Sequence, residues 1–123
     1  MEKPTFGHGK ICYIELPSID PQASADFFEK VFNWRIRRDG SEHVAFDDGV
    51  GEVSGMWVKG RAPQLQAGIV ISIMVDDALA ASEAITANGG TILKPVGDAG
   101  IDQKVGIFKD PDGNVWSIYQ HTP

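Results

Sequence analysis

The sequence predicts an α+β fold, a single domain of two tandem βαβββ modules. Three observations carry that reading. The chain runs twice through one order of elements: a strand, a helix and three more strands. Each helix opens after an aspartate, Asp20 and Asp76, 56 residues apart. Gly-bearing turn signals, at Asp39-Gly40, Asp47-Asp48-Gly49 and Asp110-Pro111-Asp112-Gly113, divide short alternating runs.

The first module spans 10–58. Lys10 to Leu16 alternates as a strand and breaks at Pro17. Asp20 is placed as a helix N-cap and Pro21 as the first helical residue, where its missing N–H costs nothing. In the following helix Phe27, Phe28, Val31 and Phe32 fall along one face. Arg35 to Arg38, His43 to Phe46 and Glu52 to Val58 are the remaining strands. Residues 59–67 read as a linker. The second module spans 68–120. Gly68 to Val75 is its first strand, Asp76 caps a helix to about Asn88, and Gly89-Gly90 ends it. Thr91 to Leu93, Lys104 to Lys109 and Asn114 to Gln120 complete it. Gly97 to Gly100 reads as a mobile loop, with Asp102 and Gln103 able to reach inward. One module alone buries its sheet poorly, so the two halves are expected to pair.

Alternation sorts the strand faces. Cys12, Ile14 and Leu16 should pack under the first helix, with Ile11, Tyr13 and Glu15 opposite. Ile69, Ile71, Ile73 and Val75 take the helix side of the second module; Val70, Ser72 and Met74 take the other. In the last strand Trp116 and Ile118 oppose Val115, Ser117 and Tyr119. The faces turned from the helices mix apolar and polar groups, which suits a concave small-molecule pocket.

The 123 residues carry a net charge of -6, which argues against a nucleic-acid surface. The one basic run, Arg35 to Arg38, alternates like the solvated face of a strand. No apolar run reaches membrane-span length, and the N-terminus lacks a signal-peptide core. A single cysteine, Cys12, fits a reducing compartment. A cytoplasmic protein with no membrane partner is the expectation.

The segments ICYIELPSIDPQASADFFEKVFNW, ISIMVDDALAASEAITANGG and FKDPDGNVWSIYQ resemble the vicinal oxygen chelate superfamily, which includes glyoxalase I, bleomycin-resistance proteins and extradiol dioxygenases. The resemblance implies sheets that curl around a shared cleft, and a homodimer. It also implies where metal-using members place their ligands. The first-strand position, usually His, falls on Tyr13; the one opening the second module, usually His, on Val70. The last-strand position, usually Glu, falls on Ser117, and the fourth, usually Glu, on Glu52 or Ser54. Valine cannot ligate, and neutral tyrosine and serine are poor ligands for a divalent ion. The expectation is therefore a small-molecule binding protein without the family's metal site and without a cofactor, holding an apolar or aromatic ligand. The alternative is a lyase or isomerase using Glu15 as base, or a displaced metal on Glu15, Glu52 and His43. Glyoxalase I activity itself would need the metal to polarise an enediolate.

Glu15 is the candidate catalytic residue: in a dry pocket it would be basic enough to take a proton. The plainer reading pairs it with a basic neighbour at the sheet rim. Tyr13, Ser54, Ser72, Met74, Ser117 and Tyr119 are candidate ligand-binding residues. Trp57 is another, able to stack on a planar ligand, although its register favours packing in the core. Trp34 and Trp116 read as structural, and Cys12 as a buried, inert thiol.

Overall fold

The computed structural model describes residues 4–65 and 68–121. Gln66 and Ala67, at the end of the expected linker, lie outside them. The chain divides into two compact units, Met1–Ala62 and Pro63–Pro123.

In the first unit the order is β1 (Tyr13–Pro17), α1 (Pro21–Phe32), β2 (Arg35–Arg38), β3 (Val44–Asp47) and β4 (Ser54–Val58). α1 starts as expected: the Asp20 carboxylate accepts the Ala23 N–H at 3.2 Å, and Pro21 fills the first turn. It stops at Asn33, whose left-handed backbone (φ 59°) returns its N–H to the Glu29 and Phe28 carbonyls. The sheet order is β1-β4-β3-β2, with β1 parallel to β4 and the other pairs antiparallel. α1 packs on β2, β3 and β4. The core is aromatic. Trp34 stacks between Phe28 and Phe46, at 4.5 Å from each, and Trp57 lies 4.9 Å from Phe46. Such stacks add to the large apolar area each ring buries.

The second unit holds β5 (Ser72–Met74), α2 (Ala78–Ala87), β6 (Thr91–Gly100), β7 (Gln103–Lys109) and β8 (Val115–His121), in sheet order β5-β8-β7-β6. Two four-stranded sheets and two helices thus give the expected α+β fold of βαβββ modules.

Several expectations need correction. The cap of α2 is Asp77, not Asp76: its carboxylate accepts the Ala80 N–H at 3.1 Å. The Gln120 side chain takes the Ala78 N–H at 2.7 Å, which ties the helix start to β8 and fixes the choice between the two aspartates. β5 is shorter than Gly68 to Val75, because it is an edge strand and forms only where β8 lies beside it. Ile69 is accordingly exposed rather than on a helix-covered face. Gly97 to Gly100 is not a loop. It belongs to β6, paired with β7 through Gly97↔Val105, Asp98↔Lys104 and Gly100↔Gln103. Pro95 sits inside β6 without cost because β6 is an edge strand and the ladder shifts register on both sides of it. Asp102 occupies the hairpin turn, with φ 57° and an exposed side chain. Cys12 is exposed, not buried. It precedes β1, and α1 covers β2 to β4 rather than that edge.

Asp110 organises the turn between β7 and β8. It is 3 % exposed. Its carboxylate accepts the backbone N–H groups of Asp112 and Asn114, both at 3.0 Å, and the Trp116 indole N–H at 2.9 Å. Gly113, with φ 91°, closes the turn by donating to the Asp110 carbonyl at 2.9 Å.

Candidate functional site

Strand alternation gives each sheet one face packed on its helix and one left open. Leu16, Val44, Phe46 and Trp57 are buried on the packed side of the first sheet. Tyr13, Glu15, Ser54 and Met56 lie on the open side, and β1–β4 pairing sets Tyr13 opposite Ser54 and Glu15 opposite Met56. Tyr13 is 51 % exposed. Ser54 donates its hydroxyl to the Asp47 carboxylate at 2.6 Å, and Arg37 holds the same oxygen at 3.1 Å.

In the second sheet Ser72 pairs with Ser117 and Met74 with Tyr119. The Ser72 hydroxyl donates to that of Ser117 at 3.0 Å. Ser117 is buried, Tyr119 half-buried, and Met74 exposed.

One backbone bond recurs in both modules and fixes their correspondence. Ser54 N–H donates to the Cys12 carbonyl, and Ser117 N–H to the Ile71 carbonyl, both at 3.0 Å. Ser54 therefore corresponds to Ser117, and Tyr13 to Ser72. Val70 lies ahead of β5 and out of that register. Glu52 lies ahead of β4, where it accepts from Thr5 and from Lys10, the latter at 3.1 Å. These contacts hold its carboxyl below the usual range, the Thr5 backbone N–H first and Lys10 next. The strand positions equivalent by register thus carry hydroxyls: Tyr13, Ser54, Ser72 and Ser117.

Glu15 is exposed, and Arg61 Nη2 sits 2.7 Å from its carboxylate. It is an ion-paired rim carboxylate rather than one in a dry pocket. The sequence signal for the partner was present, a cation just past β4, but it fell in the stretch read as linker. Glu15 does line a pocket of about 300 Å³ within the first unit, together with His43, Met56, Trp57, Val58 and Lys59. His43 and Glu15 therefore share a cavity, whereas Glu52 sits by the opposite end of β4. Among the described residues no three or more His, Cys, Asp or Glu side chains gather as a metal-binding group. Trp57 is 2 % exposed and belongs to the aromatic core, yet it also lines this pocket. No helix among the described residues is long and apolar enough to cross a membrane.

Comparison with known proteins agrees with this architecture. A curated "Glyoxylase-like domain-containing protein" from Didymella fabae is 28% identical over 119 residues, covering 90% of this chain and 93% of that one. Among solved structures, the fosfomycin resistance protein FosX from Listeria monocytogenes has a TM-score of 0.76 at 15% identity, over 93% of this chain and 92% of that one. A glyoxalase/bleomycin resistance protein/dioxygenase family enzyme from Burkholderia phytofirmans PsJN has a TM-score of 0.74 at 18% identity, over 93% of this chain and 100% of that one. At those identities the likeness is one of fold. The family model of the Glyoxalase/Bleomycin resistance protein/Dioxygenase superfamily matches residues 10–118, nearly the whole chain, and the chain belongs to that superfamily.

Proposed function

We propose that this chain is a small-molecule binding protein of the superfamily that works without a metal site. It holds an apolar or aromatic organic ligand against the sheet faces that the helices leave open. The observation that carries this reading is the set of hydroxyls at Tyr13, Ser54, Ser72 and Ser117. A divalent ion needs several converging carboxylates, imidazoles or thiolates. Ser54 is instead committed to Asp47, and Ser72 to Ser117. These residues do not fit the family's metal. On the open face of the first sheet Tyr13 and Met56 supply apolar area beside Ser54, and on that of the second Met74 and Tyr119 do so beside Ser72 and Ser117; each face has the mixed composition that suits an organic ligand. Methionines let such a site adapt to its occupant.

The reading is tested by thermal-shift screening of a library of neutral aromatic compounds. Saturable stabilisation by a subset is expected, because a ligand bound to the folded state alone raises Tm. A flat response across the library contradicts the reading.

Glu15 keeps a second reading alive, that of a lyase or isomerase with Glu15 as base, because it lines the pocket. Arg61 would have to leave it for a proton to be taken. In the binding reading, Glu15→Gln alters ligand affinity with little change in stability, since exposed ion pairs contribute about 0–1 kcal/mol. Calorimetric titration and melting of the variant check this; a large fall in Tm with unchanged affinity would make Glu15 structural.

A further inference from the structure

The pocket in the first unit is edged by a histidine whose tautomer the chain fixes. His43 precedes Val44, which is buried on the packed side of the sheet, so its ring falls on the open side. There it lines the cavity of about 300 Å³ together with Glu15, Met56 and Val58. Ser41 sits against one edge of the ring, with Oγ 3.4 Å from Nδ1. A serine hydroxyl offers a single hydrogen and a pair of acceptor sites. The hydrogen goes to the Asp39 carboxylate, which also accepts the Ser41 backbone N–H at 2.9 Å. That carboxyl is held below the usual range, chiefly by the Ser41 hydroxyl, as befits an ionised acceptor. The first acceptor site of Ser41 Oγ takes the His43 backbone N–H at 3.1 Å. The second is left for Nδ1, which must therefore carry the ring hydrogen. In the neutral ring Nε2 is then bare. It lies at the end of the ring remote from the backbone, on an exposed residue, and among the described residues no hydrogen bond reaches it. The carboxylates of the pocket each face a cation, Glu15 at 2.7 Å from Arg61 and Glu42 at 4.0 Å from Lys59. His43 Nε2 is the uncharged acceptor that the pocket has left over.

We propose that His43 Nε2 is the ligand-binding acceptor of this pocket, with Ser41 as its positioning residue, and that the ligand is a compact apolar molecule carrying a hydroxyl. The inference rests on the small-molecule reading above and names the ligand's chemistry. The hydroxyl hydrogen meets Nε2 while the apolar body lies on Met56 and Val58. An ether of the same shape has no hydrogen to give and forfeits that bond, so the pocket discriminates between the two.

The test uses the full chain labelled with ¹⁵N-histidine, in mildly alkaline buffer, and two probes that differ by a methyl group, p-cresol and 4-methylanisole. The His43 ring resonances are assigned as those missing from His43→Phe. The parent is expected to show the Nδ1–H tautomer at His43. p-Cresol should move the Nε2 resonance and bind about tenfold more tightly than 4-methylanisole. In Ser41→Ala the bias towards Nδ1–H should be lost and the preference for p-cresol should shrink; in His43→Phe the preference should vanish. Both substitutions fall at exposed positions, and the parent titration stands by itself if either variant folds poorly. Equal affinity for the two probes, or an Nε2 resonance that p-cresol does not move, overturns the acceptor role, and an Nε2–H tautomer in the parent overturns that of Ser41. Equal binding of both probes leaves the small-molecule reading intact, whereas uptake of neither counts against both.

Discussion

At pH 5, Asp110→Ala is expected to lose about 3–4 kcal/mol of stability, a fall of roughly 10–15 °C in Tm. The carboxylate is the shared acceptor of two backbone N–H groups and the Trp116 indole, all in a site 3 % exposed. Alanine leaves these donors without that partner and opens space beside Trp116. The same site predicts a pH dependence. Burial, the largest influence, pushes the Asp110 carboxyl up to about 6, against the opposing pull of its donors. The unfolded value is about 3.9. The folded chain therefore holds more protons between these values. This group's contribution is complete below about pH 4 and is lost as pH rises through about 6, by up to about 3 kcal/mol. Urea denaturation of parent and variant from pH 4 to 7 checks both effects. The gap between them should narrow as pH rises; a constant gap would contradict the assignment.

Gly55→Ala is expected to destabilise by about 3 kcal/mol, at the upper end for overpacking. Gly55 lies in β4 between Ser54 and Met56, opposite Ile14 on one side and Phe46 on the other. A Cβ there would run into the Ile14 carbonyl oxygen and the Phe46 ring, well inside contact distance. The carbonyl is backbone and cannot swing away. Relief requires β1 and β4 to separate, which also uncouples Tyr13 from Ser54. Thermal melting followed by circular dichroism checks the prediction, with Gly7→Ala as the control, since nothing lies within 4 Å of a Cβ at Gly7. Equal melting of the two variants would contradict the packing account.

What the sequence made legible follows from which signals are local. Asp20-Pro21 defines a helix start by its own chemistry, and Arg35 to Arg38 emerged as β2 with the expected bounds. Asp76 was expected as the cap of α2, but Asp77 takes that place, where the Gln120 side chain, 42 residues along the chain from Ala78, accepts the Ala78 N–H. Gly97 to Gly100 read as a loop because alternation cannot reveal an irregular edge strand. Cys12 follows the right alternation, yet its burial depends on how far α1 reaches across the sheet. At the site, Tyr13, Ser54, Ser72 and Ser117 were named from sequence, but their pairing register needed the strands. That Arg61, among the cations past β4, is the one that reaches Glu15 is a tertiary fact, as is the burial of the Trp57 indole nitrogen without a partner.

The central claim is that the hydroxyls at Tyr13 and Ser54 in the first unit, and at Ser72 and Ser117 in the second, stand where a metal would need ligands and mark sheet faces suited to an organic molecule instead. The most direct test is elemental analysis of untagged protein, purified after expression with nickel, zinc, manganese and iron supplied, and then dialysed. The account predicts metal far below one equivalent per chain. Near-stoichiometric metal that survives dialysis would contradict it, and would require ligands other than these four residues.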